Sequence, residues 1–133
     1  MIDDALGNVS GDKIFRRLLD QDLFKVRSDN IHKYQFKSLV DVDAYISAEL
    51  NNMRLHSAVS DIMEGLTDGT IVNVSGHGLN YWICDKKTIT SEAFTHMFEC
   101  EFDAKRRKEM KKYFPKSLEY FEFVLNYLKG VKL

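Results

Sequence analysis

The chain has 133 residues and a mass of 15.5 kDa, which is the size of a single domain. Hydrophobic residues make up 44% and charged residues 29%, a composition typical of a globular protein rather than a disordered one. The formal net charge of −1 argues against nucleic-acid binding through bulk charge, and no apolar run reaches the roughly 18–20 residues that span a bilayer. We therefore expect one domain over residues 1–133, with residues 1–11 as a weakly structured N-terminal arm, and no membrane partner.

The first predicted helix begins after Asp12, a residue type that caps helices, and runs to about Leu23. The segment that follows, residues 25–39, is ambiguous. Residues 28–30 read Ser-Asp-Asn, which is typical of a turn, and the alternation over residues 32–36 favours a short strand.

Two further helices are predicted before the middle of the chain. Asp41 or Asp43 can cap the first, in which apolar residues recur at helical spacing from Val42 onward. A second apolar stripe over residues 55–66, at steps of four, three and four, predicts a helix that ends at Gly65. The sequence Thr-Asp-Gly-Thr that follows it is a strong turn signal.

A small two-stranded β element is expected near residues 71–84. Residues 71–74 are rich in β-branched side chains, and residues 81–84 form a second short apolar run. The sequence Ser-Gly-His-Gly lies between them, and its glycines permit positive φ angles in a loop.

Three more helices are predicted in the last third of the chain, over about residues 90–102, 103–112 and 117–129. Thr90 or Ser91 can cap the first, and Asp103 can begin the second. Pro115 interrupts the helical structure before the third. The fold class is therefore predicted to be mainly α (α+β), with five or six helices and the small β element.

The strongest chemical pattern lies on the predicted helix over residues 90–102. At about 100° per residue, one side of this helix is apolar and consists of Phe94, Met97, Phe98 and Phe102. The other side consists of Glu92, His96, Glu99 and Asp103. Carboxylates and an imidazole at steps of four, three and four share one face, where they can bind a divalent metal. An ordinary solvent-facing surface has the same spacing, so both interpretations stay open.

Two residues outside this helix could complete a metal site. His77 lies between two glycines, where its ring is accessible and can be aimed at a ligand. Asp61 lies at the flank of an apolar helix, and a half-buried carboxylate needs a cation, a metal or backbone N–H groups as its partner. We assign Asp61, His77 and Glu92 as candidate metal ligands. His96 and Glu99 are the candidate general acid/base residues, and this oxygen and nitrogen set favours Zn²⁺ or Mn²⁺.

The basic residues of the chain are concentrated in one run over residues 105–116. Such a run usually forms a solvated helix face, although it could also contact the phosphates of a nucleic acid. The two cysteines, Cys84 and Cys100, have a spacing that fits neither a zinc ribbon nor a redox pair, so we expect two reduced structural thiols.

About half of the chain, roughly residues 55–125, resembles a C-terminal region of some bacteriophage minor head (head-morphogenesis) proteins and of related mobile-element or toxin-like proteins. The motifs that carry the resemblance are Ser60-Asp61-Ile62, Gly65-Leu66-Thr67-Asp68-Gly69, Gly76-His77, Tyr81-Trp82, Glu92-Ala93-Phe94, His96-Met97-Phe98-Glu99 and Tyr113-Phe114-Pro115. Related regions of such proteins include zincin-like metallopeptidase domains. The resemblance implies a protein partner from the phage or its host, and a location in the bacterial cytoplasm or in the virion.

The resemblance also implies a role for one residue. The segment from Glu92 to Phe98 is similar to the second metal-binding helix of those metallopeptidases, in which Glu92 corresponds to the metal-binding glutamate. The first helix departs from the pattern, because the histidines and glutamate of H-E-x-x-H are missing around Asp61. Two alternatives follow. Either Asp61, His77, Glu92 and His96 form a different metallohydrolase-like site, or the domain is a non-catalytic interaction module.

The interaction module would use the last predicted helix. Its aromatic residues Tyr120, Phe123 and Tyr127 are predicted to lie on the side away from the apolar residues Leu118, Phe121 and Leu125. Exposed aromatic side chains of this kind often mark a protein interface. The sequence therefore leaves open whether the protein is an enzyme.

Overall fold

The computed structural model describes residues 13–52, 57–71 and 88–131, and these residues are mainly helical, as predicted. The described residues form six α-helices: α1 (Lys13–Tyr34), α2 (Leu39–Asn52), α3 (Ser57–Leu66), α4 (Thr88–Glu99), α5 (Ala104–Tyr113) and α6 (Pro115–Val131). A 3₁₀ turn, Cys100–Phe102, joins α4 to α5. Within the same residues, no helix has the length and the apolar character needed to cross a membrane.

The predicted β element is not seen in the part of the chain that the structure describes, where there is no strand. Its first residue, Ile71, is fully buried and lies in a bend after α3. Residues 72–84 lie outside the described residues, as does the predicted N-terminal arm over residues 1–11.

Helix α1 continues to Tyr34, so the predicted end near Leu23 and the predicted short strand over residues 32–36 are wrong. The turn-forming residues 28–30 lie inside the helix, where contacts one turn apart stabilise them. Lys25 Nζ lies 2.9 Å from Asp29 Oδ2, and Asn30 Nδ2 donates to the carbonyl oxygen of Val26 at 2.8 Å. The helix ends before Gln35, whose φ of 59° reverses the chain direction.

The start of α2 corrects a second prediction, because neither Asp41 nor Asp43 caps the helix. Ser38 does so: its Oγ accepts a hydrogen bond from the backbone N–H of Asp41 at 3.1 Å. Asp43 is buried instead and forms a bidentate ion pair with Arg27 of α1 at 2.7 and 2.9 Å. The hydroxyl of Thr70 also donates to Asp43 at 2.8 Å, so this carboxylate joins α1, α2 and the turn after α3.

Helix α3 is the most enclosed element of the described residues. All eight residues from Ala58 to Gly65 are buried, including the polar Ser60, Asp61 and Glu64. The helix ends at Leu66, one residue beyond the prediction, and the predicted turn follows it. Asp68 and Gly69 have φ angles of 51° and 85° in this turn, a conformation for which glycine and aspartate are suited.

The observed start of α5 agrees with the prediction from the sequence, whereas the starts of α4 and α6 differ from it. Asp103 caps α5 as predicted, accepting hydrogen bonds from the backbone N–H groups of Lys105 and Arg106. Thr90 and Ser91 lie inside α4, so the cap predicted there is wrong. The predicted break is seen at Phe114, but α6 begins at Pro115 rather than near residue 117, because the first helical position needs no N–H donor.

The N-terminus of α6 is capped from α1, which is distant in the sequence. Asp22 is 1% exposed, and one oxygen of its carboxylate accepts from the backbone N–H of Ser117 at 2.9 Å and from the Ser117 hydroxyl at 2.7 Å. The other oxygen accepts from the backbone N–H of Lys116 at 3.3 Å. This carboxylate satisfies donors that would otherwise be buried without an acceptor, and it fixes α6 against α1.

The core lies between these helices, with α1 against α6 and α3 against α4. Its largest fully buried side chains are Phe15, Leu19, Val42, Ile46, Ile62, Met63, Ile71, Met97, Met110, Phe114, Leu118 and Phe121. The ring of Phe94 on α4 meets the edge of the Phe121 ring on α6 at 5.1 Å. The buried apolar residues of all six helices form one cluster, so the described residues share one core.

The cap at Asp22 can be tested by substitution. We expect Asp22→Ala to lower the free energy of unfolding by about 2–4 kcal/mol, because it leaves buried N–H and hydroxyl donors without an acceptor. The measurement is urea unfolding followed by circular dichroism. Asp20→Ala is the matched control on the same helix, where the carboxylate is half exposed, and we expect a change within about 0.5 kcal/mol. Equal losses in the two variants would contradict the role given to Asp22.

Candidate metal centre

Asp61 lies on helix α3, whose residues 58–65 are all buried. Its side chain is 11% exposed, which follows from its position on a helix with neighbours on all sides. A carboxylate loses most of its hydration in such a place and must interact with donors or cations of the protein. Among the helices that pack beside α3, α4 presents polar groups to Asp61.

Helix α4 provides these groups on the face that the sequence predicts. Glu92, His96 and Glu99 are partly buried and lie one turn apart, whereas Ala93 and Met97 are fully buried on the core side. The predicted apolar face is correct for Phe94 and Met97. It is wrong for Phe102, which is 80% exposed because the 3₁₀ turn changes the helical register before that residue is reached.

The imidazole of His96 lies at the centre of the cluster. Its Nε2 is 3.1 Å from Oδ2 of Asp61, across the contact between α3 and α4, and 3.7 Å from Oε2 of Glu92. One ligand atom from each of Asp61, Glu92 and His96 lies within 4.8 Å of the others. The three side chains are 11%, 25% and 12% exposed, so the cluster is largely enclosed and is reached by solvent on the Glu92 side.

The second ring nitrogen of His96 faces Glu99. Nδ1 lies 3.3 Å from Oε1 of Glu99, close enough for a charge interaction, but the N–H direction does not meet the angle of a hydrogen bond. This nitrogen is buried, and within the ranges that the structure describes it has no hydrogen-bond partner. Glu99 is in turn held by Arg106 of α5, whose Nη1 lies 3.3 Å from Oε2 of Glu99.

Opposing effects determine the pKa of His96. Burial, the largest effect, lowers the pKa because the protein interior disfavours the charged ring. The hydrogen bond with Asp61 and the charges of Asp61, Glu92 and Glu99 together outweigh burial, so the pKa of His96 lies above its usual value of 6.5. The cluster thus attracts positive charge at this position.

Four of the five predicted site residues therefore lie together: Asp61, Glu92, His96 and Glu99. His77 lies outside the described residues and stays a prediction. Asp103, the fourth polar residue of the predicted face, caps α5 instead.

Sequence reasoning missed Arg106, which lies in the basic run. Arg106 lies seven residues after Glu99, and this spacing does not predict a contact between them unless the intervening 3₁₀ turn is known.

The basic run is partly neutralised in the structure. Arg106 contacts Glu99 and Asp103, and Arg107 forms a bidentate pair with Glu122 of α6 at 2.7 and 2.8 Å. The exposed basic residues of α5 are Lys105, Lys108, Lys111 and Lys112. Nucleic-acid binding by this surface stays a prediction from the sequence.

Comparisons of the chain with protein-family models, with curated proteins and with solved structures give no match. The resemblance to phage minor head proteins therefore stays a prediction.

Cys100 lies beside the cluster but has the properties of a structural thiol. It is 2% exposed, and its Sγ donates to the backbone oxygen of His96 at 3.3 Å. Burial raises the pKa of the Cys100 thiol to about 11, so very little reactive thiolate is present near neutral pH. The structure confirms the expectation of a reduced thiol for Cys100, whereas Cys84 lies outside the described residues.

The protection of Cys100 can be measured in the Cys84→Ser variant, where it is the last remaining thiol. We expect Ellman's reagent at pH 8 to label the native protein at least about 100-fold more slowly than the unfolded protein, since a pKa raised by about two units reduces the thiolate fraction by that factor. The same variant in denaturant is the control. Similar rates in both states would show that the Cys100 thiol is accessible and activated.

Proposed function

We propose that this protein is a metal-binding domain in which Asp61, Glu92 and His96 hold one divalent ion, Zn²⁺ or Mn²⁺. The observation that carries the proposal is the convergence of two carboxylate oxygens and one imidazole nitrogen from two packed helices. Glu92 and His96 are one turn apart on α4, and Asp61 approaches from α3, 35 residues away from His96 in the sequence.

The distances between the ligand atoms fit the coordination of a small divalent ion. With metal–ligand bonds of about 2.0–2.2 Å, neighbouring ligand atoms in tetrahedral or octahedral geometry lie roughly 3–3.6 Å apart. The distances of 3.1 and 3.7 Å from Nε2 of His96 are close to this range, so small rotations of the side chains would suffice. A set of two oxygens and one nitrogen favours Zn²⁺ or Mn²⁺ over Cu(I), which prefers sulfur ligands.

Three protein ligands leave a coordination position open. A metal with an open position can bind water and lower its pKa to near 7, which supplies a nucleophile for hydrolysis. Glu92 and Glu99 are 25% and 44% exposed, so the surface on their side gives a substrate access to the ion. We therefore propose metal-assisted hydrolysis as the activity to test. The resemblance of the Glu92 helix to the second metal-binding helix of zincin-like domains supports the same choice.

Metal binding is tested on protein that carries no histidine tag and has been stripped with a chelator. We expect one Zn²⁺ per chain, with zinc at 100 times its Kd raising the free energy of unfolding by about 2.7 kcal/mol. Glu92→Gln and His96→Gln should each abolish stoichiometric binding, because each removes one ligand while keeping a similar side-chain volume. Isothermal titration calorimetry and thermal unfolding provide the measurements.

The matched control for these variants is His32→Gln, which removes an exposed imidazole on α1. It should bind zinc as the parent does. A parent protein that takes up no metal and gains no thermal stability would refute the proposal, and so would equal binding in all four proteins. Where binding is found, peptide, ester and phosphodiester substrates are assayed with and without metal, and Glu92→Gln serves as the inactive reference.

A non-catalytic interaction module is the second candidate function, and the surface of α6 favours it. Phe123 and Tyr127 are 68% and 63% exposed, whereas Leu118, Phe121 and Leu125 are buried, as predicted. Tyr120 differs from the prediction: it is half-buried, and its ring stacks on that of Phe15 at 6.3 Å. Two exposed aromatic side chains one turn apart form a surface that a protein partner could cover.

The first partner to test for this surface is a second copy of the chain. If the surface mediates self-association, sedimentation velocity should show a dimer at high concentration that the double variant Phe123→Ser, Tyr127→Ser removes. The double variant should bind zinc as the parent does, because neither residue belongs to the cluster around His96. A monomer at all concentrations would contradict self-association through this surface.

A further inference from the structure

We propose that Glu99 is a positioning residue that accepts a hydrogen bond from the Nδ1–H group of His96 and so directs the lone pair of Nε2 toward the metal. This inference rests on the metal site proposed above, and it gives Glu99 a role different from that of a general acid/base. A histidine that binds a metal through one ring nitrogen almost always donates its other N–H to a carboxylate, a backbone carbonyl or a water. The two nitrogens of His96 face different groups here, which makes such a division of roles feasible.

The surroundings of Nδ1 identify the acceptor. Nδ1 is buried, and Oε1 of Glu99 lies 3.3 Å from it without the alignment of a hydrogen bond. Hydrogen bonds at functional sites are commonly long in the free protein and shorten when the bound group arrives. The proposal requires the His96 ring to turn, when an ion binds, until its Nδ1–H group points at Oε1 of Glu99. Among the described residues, Glu99 is the carboxylate closest to Nδ1.

Glu99 needs a support of its own, because its side chain is 44% exposed and a glutamate on a surface occupies several rotamers. Arg106 supplies this support. Its Nη1 lies 3.3 Å from Oε2 of Glu99, and its Nε lies 3.3 Å from Oδ2 of Asp103, the residue that caps α5. Arg106 therefore contacts one oxygen of Glu99 and leaves the other for His96.

The test compares the Zn²⁺ affinity of the parent with that of Glu99→Ala and Glu99→Gln, by competition with a chromophoric chelator. We expect Glu99→Ala to weaken binding about 10- to 100-fold, the range found when a partner of a metal-bound histidine is removed. Glu99→Gln should recover most of this loss, because its amide oxygen still accepts a hydrogen bond from the Nδ1–H group of His96. In zinc-loaded, ¹⁵N-labelled protein, the proton on Nδ1 of His96 should be detectable in the parent and in Glu99→Gln, and exchange faster in Glu99→Ala.

The control is Glu119→Gln, which removes one exposed carboxylate on α6 and should bind zinc as the parent does. Affinity of Glu99→Ala within about threefold of the parent would overturn the positioning role while leaving the metal site intact. Equal losses in the alanine and glutamine variants would also overturn it, since the effect would then come from charge alone. A parent protein without zinc binding would refute the metal site itself, and the positioning role with it.

Discussion

The arrangement of the helices depends on a carboxylate that is buried on a helix without a solvent-facing side. Residues 58–65 of α3 are all buried, and Asp61 lies among them with 11% of its side chain exposed. Burial of an unpaired carboxylate costs several kcal/mol, so Asp61 needs donors or cations among the groups that surround α3. His96 meets this requirement from α4. Glu92 and Glu99 lie on the same face of α4 as His96, so the contact with Asp61 brings them to the same place.

The sequence predicts which residues belong to the site, but it does not predict that α3 and α4 bring them into contact. Helical periodicity decides which residues of one helix share a face, so the grouping of Glu92, His96 and Glu99 follows from spacing alone. Asp61 is recognisable because a carboxylate at the edge of an apolar stripe needs a partner. No local pattern shows that α3 packs against α4, because the contact spans 35 residues and depends on how the whole core fills. The pairing of Asp61 with His96 is therefore determined by the tertiary packing of the helices.

The same limit explains the errors in the helix boundaries. Asp22 and Asp43 resemble any acidic residue that caps its own helix or faces solvent, yet the structure uses Asp22 to cap α6 and Asp43 to pair with Arg27. A carboxylate that caps locally and one that binds a distant partner carry the same local signal. The turn predicted at residues 28–30 is wrong for a related reason, since these residues lie inside α1. Turn preference is weak compared with the packing of a long helix, and α1 buries Phe15, Leu19 and Leu23 against the core.

The cluster around His96 can form a simple ion pair or a metal site. An ion pair between Asp61 and a protonated His96 would satisfy the buried carboxylate, and the raised pKa of His96 is consistent with it. Glu92 lies 3.7 Å from the same nitrogen, and a protonated ring would attract this second carboxylate as well. A divalent ion would interact with both at once and would replace the proton on Nε2. The two states therefore use the same three side chains and differ in whether Nε2 of His96 carries a proton or a metal ion.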